Sequence, residues 1–204
     1  ACDQHLLLTS LGLEPRRTVF GGLFQPSPRH RCVEISEYAA RRAKLMAMIP
    51  DGIAVILGAA SGPQNNEMIY FSGVKIPRAV LVVDGVRKES ALFYTTSETY
   101  LKGEGMSADL ASDPKGATGI ERWYPAEQFS AILGRVAAQA KVIYTPFRAE
   151  TASPDIATTG EWDGRLSREL QFVKLLKERY PQGEIRDCSE TIWDIRRIKT
   201  PAEI

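Results

Sequence analysis

Histidine is nearly missing from this sequence, and cysteine is scarce. The 204 residues include two histidines, His5 and His30, and no HExxH pattern, so the main domain can build neither a histidine-rich metal site nor a histidine general base. The three cysteines, Cys2, Cys32 and Cys188, are scattered, and no two of them form a CxxC pair. The sequence therefore predicts neither a disulfide framework nor a structural zinc site.

A charge excess and a long apolar run are also missing. Lys and Arg number 26 against 25 Asp and Glu, and a net charge of +1 attracts neither nucleic acid nor an anionic membrane. The longest apolar runs, Gly52–Ala60 and Ala79–Val83, are too short to cross a bilayer. We expect a soluble protein without nucleic-acid or membrane partners. The cytoplasm is favoured, although the Ala1-Cys2 start also fits removal of an export signal.

The motifs of several enzyme classes are absent as well. The sequence contains no GxSxG, no Walker loop and no GxGxxG, so it lacks a nucleophile elbow and the common phosphate-binding loops. Two acidic pairs, Glu98 with Glu104 and Asp109 with Asp113, have the residue types for acid–base work, but solvated carboxylates in a polar loop are the simpler interpretation. The residues by themselves predict no catalytic constellation.

The first half of the chain predicts a helix followed by strands. Ser36 is a suitable N-cap for a helix over Glu37–Ile49, whose solvent face carries the pair Arg41-Arg42. Four strands follow, and the turn residues Asp84-Gly85 predict that the last two form a hairpin. The predicted strands are Ile53–Leu57, Glu67–Ser72, Ala79–Val83 and Ala91–Thr95.

The second half alternates helices with strands after a long polar connection over Glu98–Gly119. The aromatic pair Trp123-Tyr124 is interpreted either as a binding surface or as a staple onto the next helix. This order predicts an α/β fold, a mixed β-sheet of about six strands flanked by helices. The predicted elements are helices over Ala126–Ala140 and Trp162–Tyr180, strands Val142–Thr145 and Glu184–Asp187, and a closing helix with the apolar stripe Ile192, Ile195 and Ile198.

The two ends of the chain differ from its middle. Residues 1–33 have no regular period and predict an irregular arm. Near the other end, Thr200-Pro201-Ala202-Glu203 has the sequence of a helix start, with an N-cap threonine, a proline at the first helical position and a capping-box glutamate. We therefore expect residues 34–198 to be one domain and residues 199–204 to begin another domain of a longer protein.

Three stretches resemble the N-terminal domain of the Xaa-Pro peptidases, the creatinase/aminopeptidase P/prolidase family. Glu37–Ala59 resembles the opening helix of that domain, with its double arginine, and then its first strand. Tyr70–Gly85 resembles the family's aromatic–Thr/Ser–Gly stretch, followed by proline and by a hydrophobic strand that ends at Asp-Gly. Ile195–Ile204 resembles the join to the catalytic domain, R-x-I-K-[ST]-x-x-E-[IL]. The likeness runs from about Ser36 to the end.

The resemblance implies a mixed sheet with flanking helices and a non-catalytic role. In this family the following domain has the pita-bread fold, holds two divalent metal ions (Mn, Zn or Co) and cleaves the peptide bond before proline. Those metal ligands would lie beyond Ile204, and none is assigned to this chain. The resemblance further implies contact with that C-terminal domain, assembly into a homodimer or larger oligomer, and control of access for short proline-containing peptides.

In some members of the family, loop residues of this domain reach the active site of a neighbouring subunit. Glu98–Gly105 resembles a family loop that often carries Glu-x-Trp and then Gly-Arg. Tyr100 stands near the family's tryptophan and Glu104 near its arginine, so the resemblance implies a substrate-access role for these two residues. Whether the parent protein is an aminopeptidase or a dipeptidase is left open. A non-catalytic module that binds a protein or peptide partner is the alternative, because the same architecture also occurs in such proteins.

Overall fold

A computed structural model describes residues 34–60, 64–95, 97, 99, 110, 112–148 and 166–199. No helix within these ranges has the length and apolar character needed to cross a membrane. Six helices are numbered here in chain order, with a short 3-10 turn over Ala126–Gln128 before the fourth. They are α1 Ile35–Met48, α2 Asn66–Ser72, α3 Pro114–Thr118, α4 Phe129–Ala137, α5 Arg168–Arg179 and α6 Ser189–Arg197.

Six strands form one mixed sheet in the order β4-β3-β2-β1-β5-β6. The pairs β1–β2 and β2–β3 are antiparallel, whereas β1–β5, β5–β6 and β3–β4 are parallel. The predicted α/β fold with a mixed sheet of about six strands is thereby confirmed. The strands are β1 Gly52–Leu57, β2 Val80–Asp84, β3 Glu89–Tyr94, β4 Arg122–Pro125, β5 Val142–Thr145 and β6 Glu184–Asp187.

The sheet has an apolar core on each face, which is why its central strands are apolar along their whole length. On the first face, α1, α2 and α6 pack through residues such as Leu45, Met68 and Ile192. On the second face, α4 and α5 pack through residues such as Leu133 and Leu176. Helices therefore flank both faces of the sheet, as the sequence predicts.

The predicted hairpin turn joins β2 to β3. The Asp84 carboxylate accepts hydrogen bonds from the amides of Val86 and Arg87, both at 2.8 Å, and so holds the turn closed. Gly85 lies directly against the end of α1, because a Cβ built on it would stand 1.9 Å from the Ile49 carbonyl oxygen. Only glycine fits at this contact, so the Asp84-Gly85 pair determines both the turn and the position of the end of α1 against it.

The predicted strand over Glu67–Ser72 is wrong, since this segment is helix α2. Asn65 is its N-cap, and the Asn65 side chain accepts a hydrogen bond from the Met68 amide at 3.0 Å. Gly73 ends the helix in the left-handed region with φ +70°, where glycine carries no steric penalty. The aromatic residues of this segment favoured a strand locally, but burial of one helical face against α1 decides the outcome.

Three further predictions about local structure need correction. The N-cap of α1 is Glu34 and not Ser36, and the structure gives it no side-chain capping bond. The connection over Glu98–Gly119 contains the short helix α3, which Asp113 caps by accepting from the Gly116 amide. The pair Trp123-Tyr124 lies in strand β4, which the sequence did not predict. The Tyr124 ring stacks on the Phe93 ring with 5.3 Å between centroids, so Tyr124 packs against the neighbouring strand β3.

Candidate functional site

The two residues with a predicted substrate-access role, Tyr100 and Glu104, lie outside the described residues, as do His5, His30 and residues 200–204. The structure therefore leaves these predictions untested. The strand that leads toward them is well packed, because the buried Tyr94 hydroxyl donates a hydrogen bond to the Leu110 carbonyl at 3.3 Å. The candidate site must be sought among the other polar residues.

One place to search is the crevice at the carboxyl ends of β1 and β5. These parallel neighbours lead to helices on opposite faces, α2 and α5, and ligands of open α/β sheets often bind at such a switch point. The crevice measures about 20 Å³, which is room for about one water molecule. It is too small for a peptide or a cofactor. Its lining consists of Leu57, Asn65, Glu67, Thr145, Pro146, Arg148 and Glu169.

A polar cluster beside this crevice ties the segment after β5 to the start of α6. One carboxylate oxygen of Asp187 accepts from the Phe147 amide at 3.0 Å and from the Ser189 amide and hydroxyl at 2.9 and 2.6 Å. Burial raises the pKa of Asp187, but the hydrogen bonds from Ser189 and Phe147 and the charge of Arg148 outweigh it, so the pKa lies below its ordinary value. The ionised carboxylate is thus a structural acceptor and a poor general base.

The remaining chemistry in the described part of the chain is equally inert. No group of three or more His, Cys, Asp or Glu side chains there could hold a metal ion. Cys188 is buried, and desolvation, followed by the charges of Glu67 and Asp187, raises the pKa of its thiol far above the ordinary value. A protonated, enclosed thiol is a weak nucleophile and a weak metal ligand.

A larger groove of about 520 Å³ lies on the second face, between α4 and the β2–β3–β4 part of the sheet. Its apolar lining includes Val82, Ala91 and Ile132, and its rim includes three arginines. Two of these arginines already have partners: Arg122 pairs with Glu89 at 2.8 Å, and Arg87 bonds Gln139. Ser90 also lines the groove, and its hydroxyl donates to the Glu121 carboxylate at 2.5 Å. Ser90 is 1% exposed, and the pKa of Glu121 lies below its ordinary value, so this pair is a structural contact and a poor nucleophile and base.

The double arginine of α1 is buried, contrary to the prediction that it lies on the solvent face. Arg41 and Arg42 are 4% and 1% exposed. Arg41 donates to the Tyr70 carbonyl at 3.0 Å, and Arg42 donates to the Phe71 carbonyl at 2.9 Å and to the Gly119 carbonyl at 2.6 Å. Two of these acceptors are carbonyls in the last turn of α2, which lack intrahelical donors and carry the negative end of the helix dipole.

An acidic side chain lies near each of these buried cations. Desolvation lowers the pKa of Arg42, and the charge of Glu121 opposes that change. Burial raises the pKa of Glu121, but hydrogen bonds from Ser90 and the charge of Arg42 lower it further than burial raises it. Arg41 pairs with Glu37 one turn earlier, with 2.6 Å between nitrogen and oxygen. The two guanidinium groups act as C-terminal caps for α2, because they donate to the carbonyls of Tyr70 and Phe71.

Tyr70 connects this arginine pair to the end of the described chain. Its ring lies under the Arg41 guanidinium, with 4.2 Å from the guanidinium carbon to the ring centroid. Its hydroxyl donates a hydrogen bond to the Ile195 carbonyl in the last turn of α6 at 3.1 Å. The arginine pair, Tyr70 and Ile195, which we call the arginine–tyrosine cluster, therefore join α1, α2 and α6.

The three stretches that carry the sequence resemblance thus meet at this cluster, with Arg41 and Arg42 from the first, Tyr70 from the second and Ile195 from the third. Sequence reasoning had treated the stretches as separate motifs. A buried helix end needs hydrogen-bond donors from elsewhere in the chain, and this requirement could have linked the double arginine to the end of α2.

Comparison with known proteins gives matches among solved structures alone. No protein-family model matches the chain, and no curated protein sequence matches it. The chain is similar to Escherichia coli aminopeptidase P, with 21% identity and a TM-score of 0.61 over 84% of this chain and 40% of that chain. It is also similar to Pseudomonas aeruginosa aminopeptidase PepP, with 22% identity and a TM-score of 0.61 over 85% of this chain and 40% of that chain.

A eukaryotic protein shares the same fold. The chain is similar to Icp55 from Saccharomyces cerevisiae, with 16% identity and a TM-score of 0.61, over 84% of this chain and 38% of that chain. The chain therefore spans about 40% of the length of these three proteins. Identities this low show a common fold, and they leave the activity of this chain to be argued separately.

Proposed function

We propose that this chain is the non-catalytic N-terminal domain of a metal-dependent Xaa-Pro aminopeptidase or dipeptidase. The observation that carries the proposal is the pattern of coverage: more than four fifths of this chain superposes on about two fifths of aminopeptidase P chains. The remaining three fifths of those chains have no counterpart here. In this proposal they correspond to a catalytic domain that follows residue 204 in the parent protein.

The chemistry of the described residues supports a non-catalytic role. A divalent metal pair does not fit them, because they include no cluster of metal-ligating side chains. In the proposal the Mn, Zn or Co pair belongs to the following domain, and this chain takes part in no step of the hydrolysis. The domain serves oligomer assembly and access control, so that short proline-containing peptides reach the metals. Tyr100 and Glu104 are the residues proposed for that access role.

The same proposal divides the chain into three parts. Residues 1–33 are an N-terminal arm, residues 34–198 are the domain, and residues 199–204 begin the connection to the catalytic domain. The arginine–tyrosine cluster supports the last boundary, because it ties α6 to α1 and α2 at Ile195, two residues before the helix ends at Arg197. The partners in this account are the C-terminal domain of the same protein and a second copy of the protein.

The reading frame of the parent gene tests this proposal. We expect the codons after residue 204 to encode a domain that contains two Asp, one His and two Glu in the metal-binding order of the Xaa-Pro peptidases. A frame that ends at residue 204 contradicts the proposal. A frame that continues without those five ligands favours the alternative, a non-catalytic module that binds a protein or peptide partner.

A further inference from the structure

We propose that the Tyr70 hydroxyl fixes the direction in which the chain leaves α6, and that Tyr70 is thereby a positioning residue for whatever domain follows. The first half of this inference concerns the described residues alone. The second half rests on the proposed function. It assigns to Tyr70 a part in orienting this domain, which controls substrate access in that proposal, relative to the catalytic domain.

The end of α6 needs an external donor at this point. The last four carbonyls of a helix have no intrahelical partner, and a buried carbonyl without a donor costs free energy. Helix α6 ends at Arg197, and Ile198 is already extended, with φ −83° and ψ 101°. The Ile195 carbonyl is therefore in the unpaired final turn, and the Tyr70 hydroxyl satisfies it from α2.

Tyr70 is itself held from two sides, so its hydroxyl has a fixed position. The Arg41 guanidinium lies over its ring and also donates to its backbone carbonyl. The Phe71 ring meets the Tyr70 ring edge-on, with 5.1 Å between centroids. A side chain fixed at both its backbone and its ring gives a rigid reference point for the helix it contacts.

The apolar stripe of α6 becomes exposed soon after this contact. Ile192 and Ile195 of α6 are buried in the first-face core, whereas Ile198, one residue beyond the helix, is 68% exposed. Burial of the two isoleucines sets the face of α6 that meets the core, but it leaves the final turn free to fray. The Tyr70 hydrogen bond removes that freedom, and the direction of the outgoing chain follows from it.

Hydrogen exchange on the 204-residue chain tests the first half, using Tyr70→Phe with Tyr94→Phe as the matched control. Both tyrosines are buried, and each hydroxyl donates a hydrogen bond to a backbone carbonyl, but the acceptor of Tyr94 is Leu110, whereas the acceptor of Tyr70 lies in α6. We expect Tyr70→Phe to speed exchange of the final-turn amides of α6 about fivefold relative to β1 and β2. Tyr94→Phe should leave that ratio unchanged. Equal ratios in the two variants would overturn the inference.

Peptidase kinetics of the longer protein test the second half. We expect Tyr70→Phe to change the ratio of kcat/KM for a long proline peptide to kcat/KM for a proline tripeptide by about threefold or more. The kcat for the tripeptide should stay at the wild-type level. An unchanged ratio overturns the positioning role. A wild-type protein without peptidase activity overturns the proposed function instead, while the exchange result still decides the anchoring of α6.

Discussion

Replacing Arg42 with alanine lowers the free energy of unfolding by about 3–5 kcal/mol. The guanidinium is 1% exposed and supplies donors to two carbonyls from separate parts of the chain, Phe71 and Gly119. Its removal leaves both carbonyls buried without these donors, at a cost of about 1–3 kcal/mol each, and also opens a cavity between α1, α2 and the end of α3. Urea unfolding followed by circular dichroism measures the loss.

Two further variants separate this effect from a general loss of positive charge. Arg135→Ala removes an arginine from the exposed side of α4 and should change the free energy of unfolding by less than about 0.5 kcal/mol. Arg42→Lys keeps the charge but lacks the planar fork that reaches both carbonyls, so we expect a loss of about 2 kcal/mol. Full stability in Arg42→Lys would show that the charge, and not the paired hydrogen bonds, matters at this position.

Replacing Gly85 with alanine lowers the free energy of unfolding by about 3 kcal/mol. A Cβ at this position would lie 1.9 Å from the Ile49 carbonyl oxygen and 2.8 Å from the Ile49 carbonyl carbon. Both atoms belong to the backbone at the end of α1, so relief of the overlap requires the helix and the hairpin to separate. Thermal and urea unfolding both report this loss.

Gly183 provides the matched control for this substitution. A Cβ there would meet the Tyr180 carbonyl oxygen at 3.4 Å, which is ordinary van der Waals contact, and Gly183 does not have a positive φ. Gly183→Ala should therefore change the free energy of unfolding by less than about 1 kcal/mol, with a gain as possible as a loss. Similar losses in the two variants would contradict the account of the contact between the hairpin turn and α1.

Much of the fold could be predicted because its central strands are buried on both faces along their length. The central strand β5 has the predicted bounds, and β1 differs from the prediction by one residue at its start, while the largely exposed edge strand β6 also has the predicted bounds. A run of apolar residues between turn residues needs no information from distant parts of the chain. The hairpin at Asp84-Gly85 could also be predicted, because the residues of the turn themselves favour it.

The errors occurred where distant contacts decide the structure. Aromatic residues in α2 favour a strand locally, and the helix forms because its face packs against α1. β4 consists of four residues, of which Arg122 and Trp123 are exposed, so no apolar pattern marks it. Its existence depends on the parallel pairing with β3, which the sequence does not display.

The prediction for the arginine pair of the candidate site was also wrong. Helical spacing places Arg41 and Arg42 on the same face of α1 as the apolar stripe, because they follow Tyr38 by three and four residues and precede Leu45 by four and three. The prediction of a solvent face was therefore already wrong from the spacing, although arginine is usually solvated. The two arginines are buried because the end of α2 supplies carbonyl acceptors to them, and α2 itself was not predicted. The resemblance included Arg41, Arg42 and Tyr70. Their role in joining α1, α2 and α6 depends on contacts between the three stretches, which the sequence does not show.

Hydrolysis of a proline-containing peptide in the presence of Mn²⁺ tests the central claim most directly. The 204-residue chain and the longer protein that the proposal assumes are compared at equal concentration, with and without a chelator. We predict no cleavage by the 204-residue chain above the rate with Mn²⁺ alone, and chelator-sensitive cleavage before proline by the longer protein. Metal-dependent cleavage by the 204-residue chain itself would contradict the account, because it would place the catalytic site within this domain.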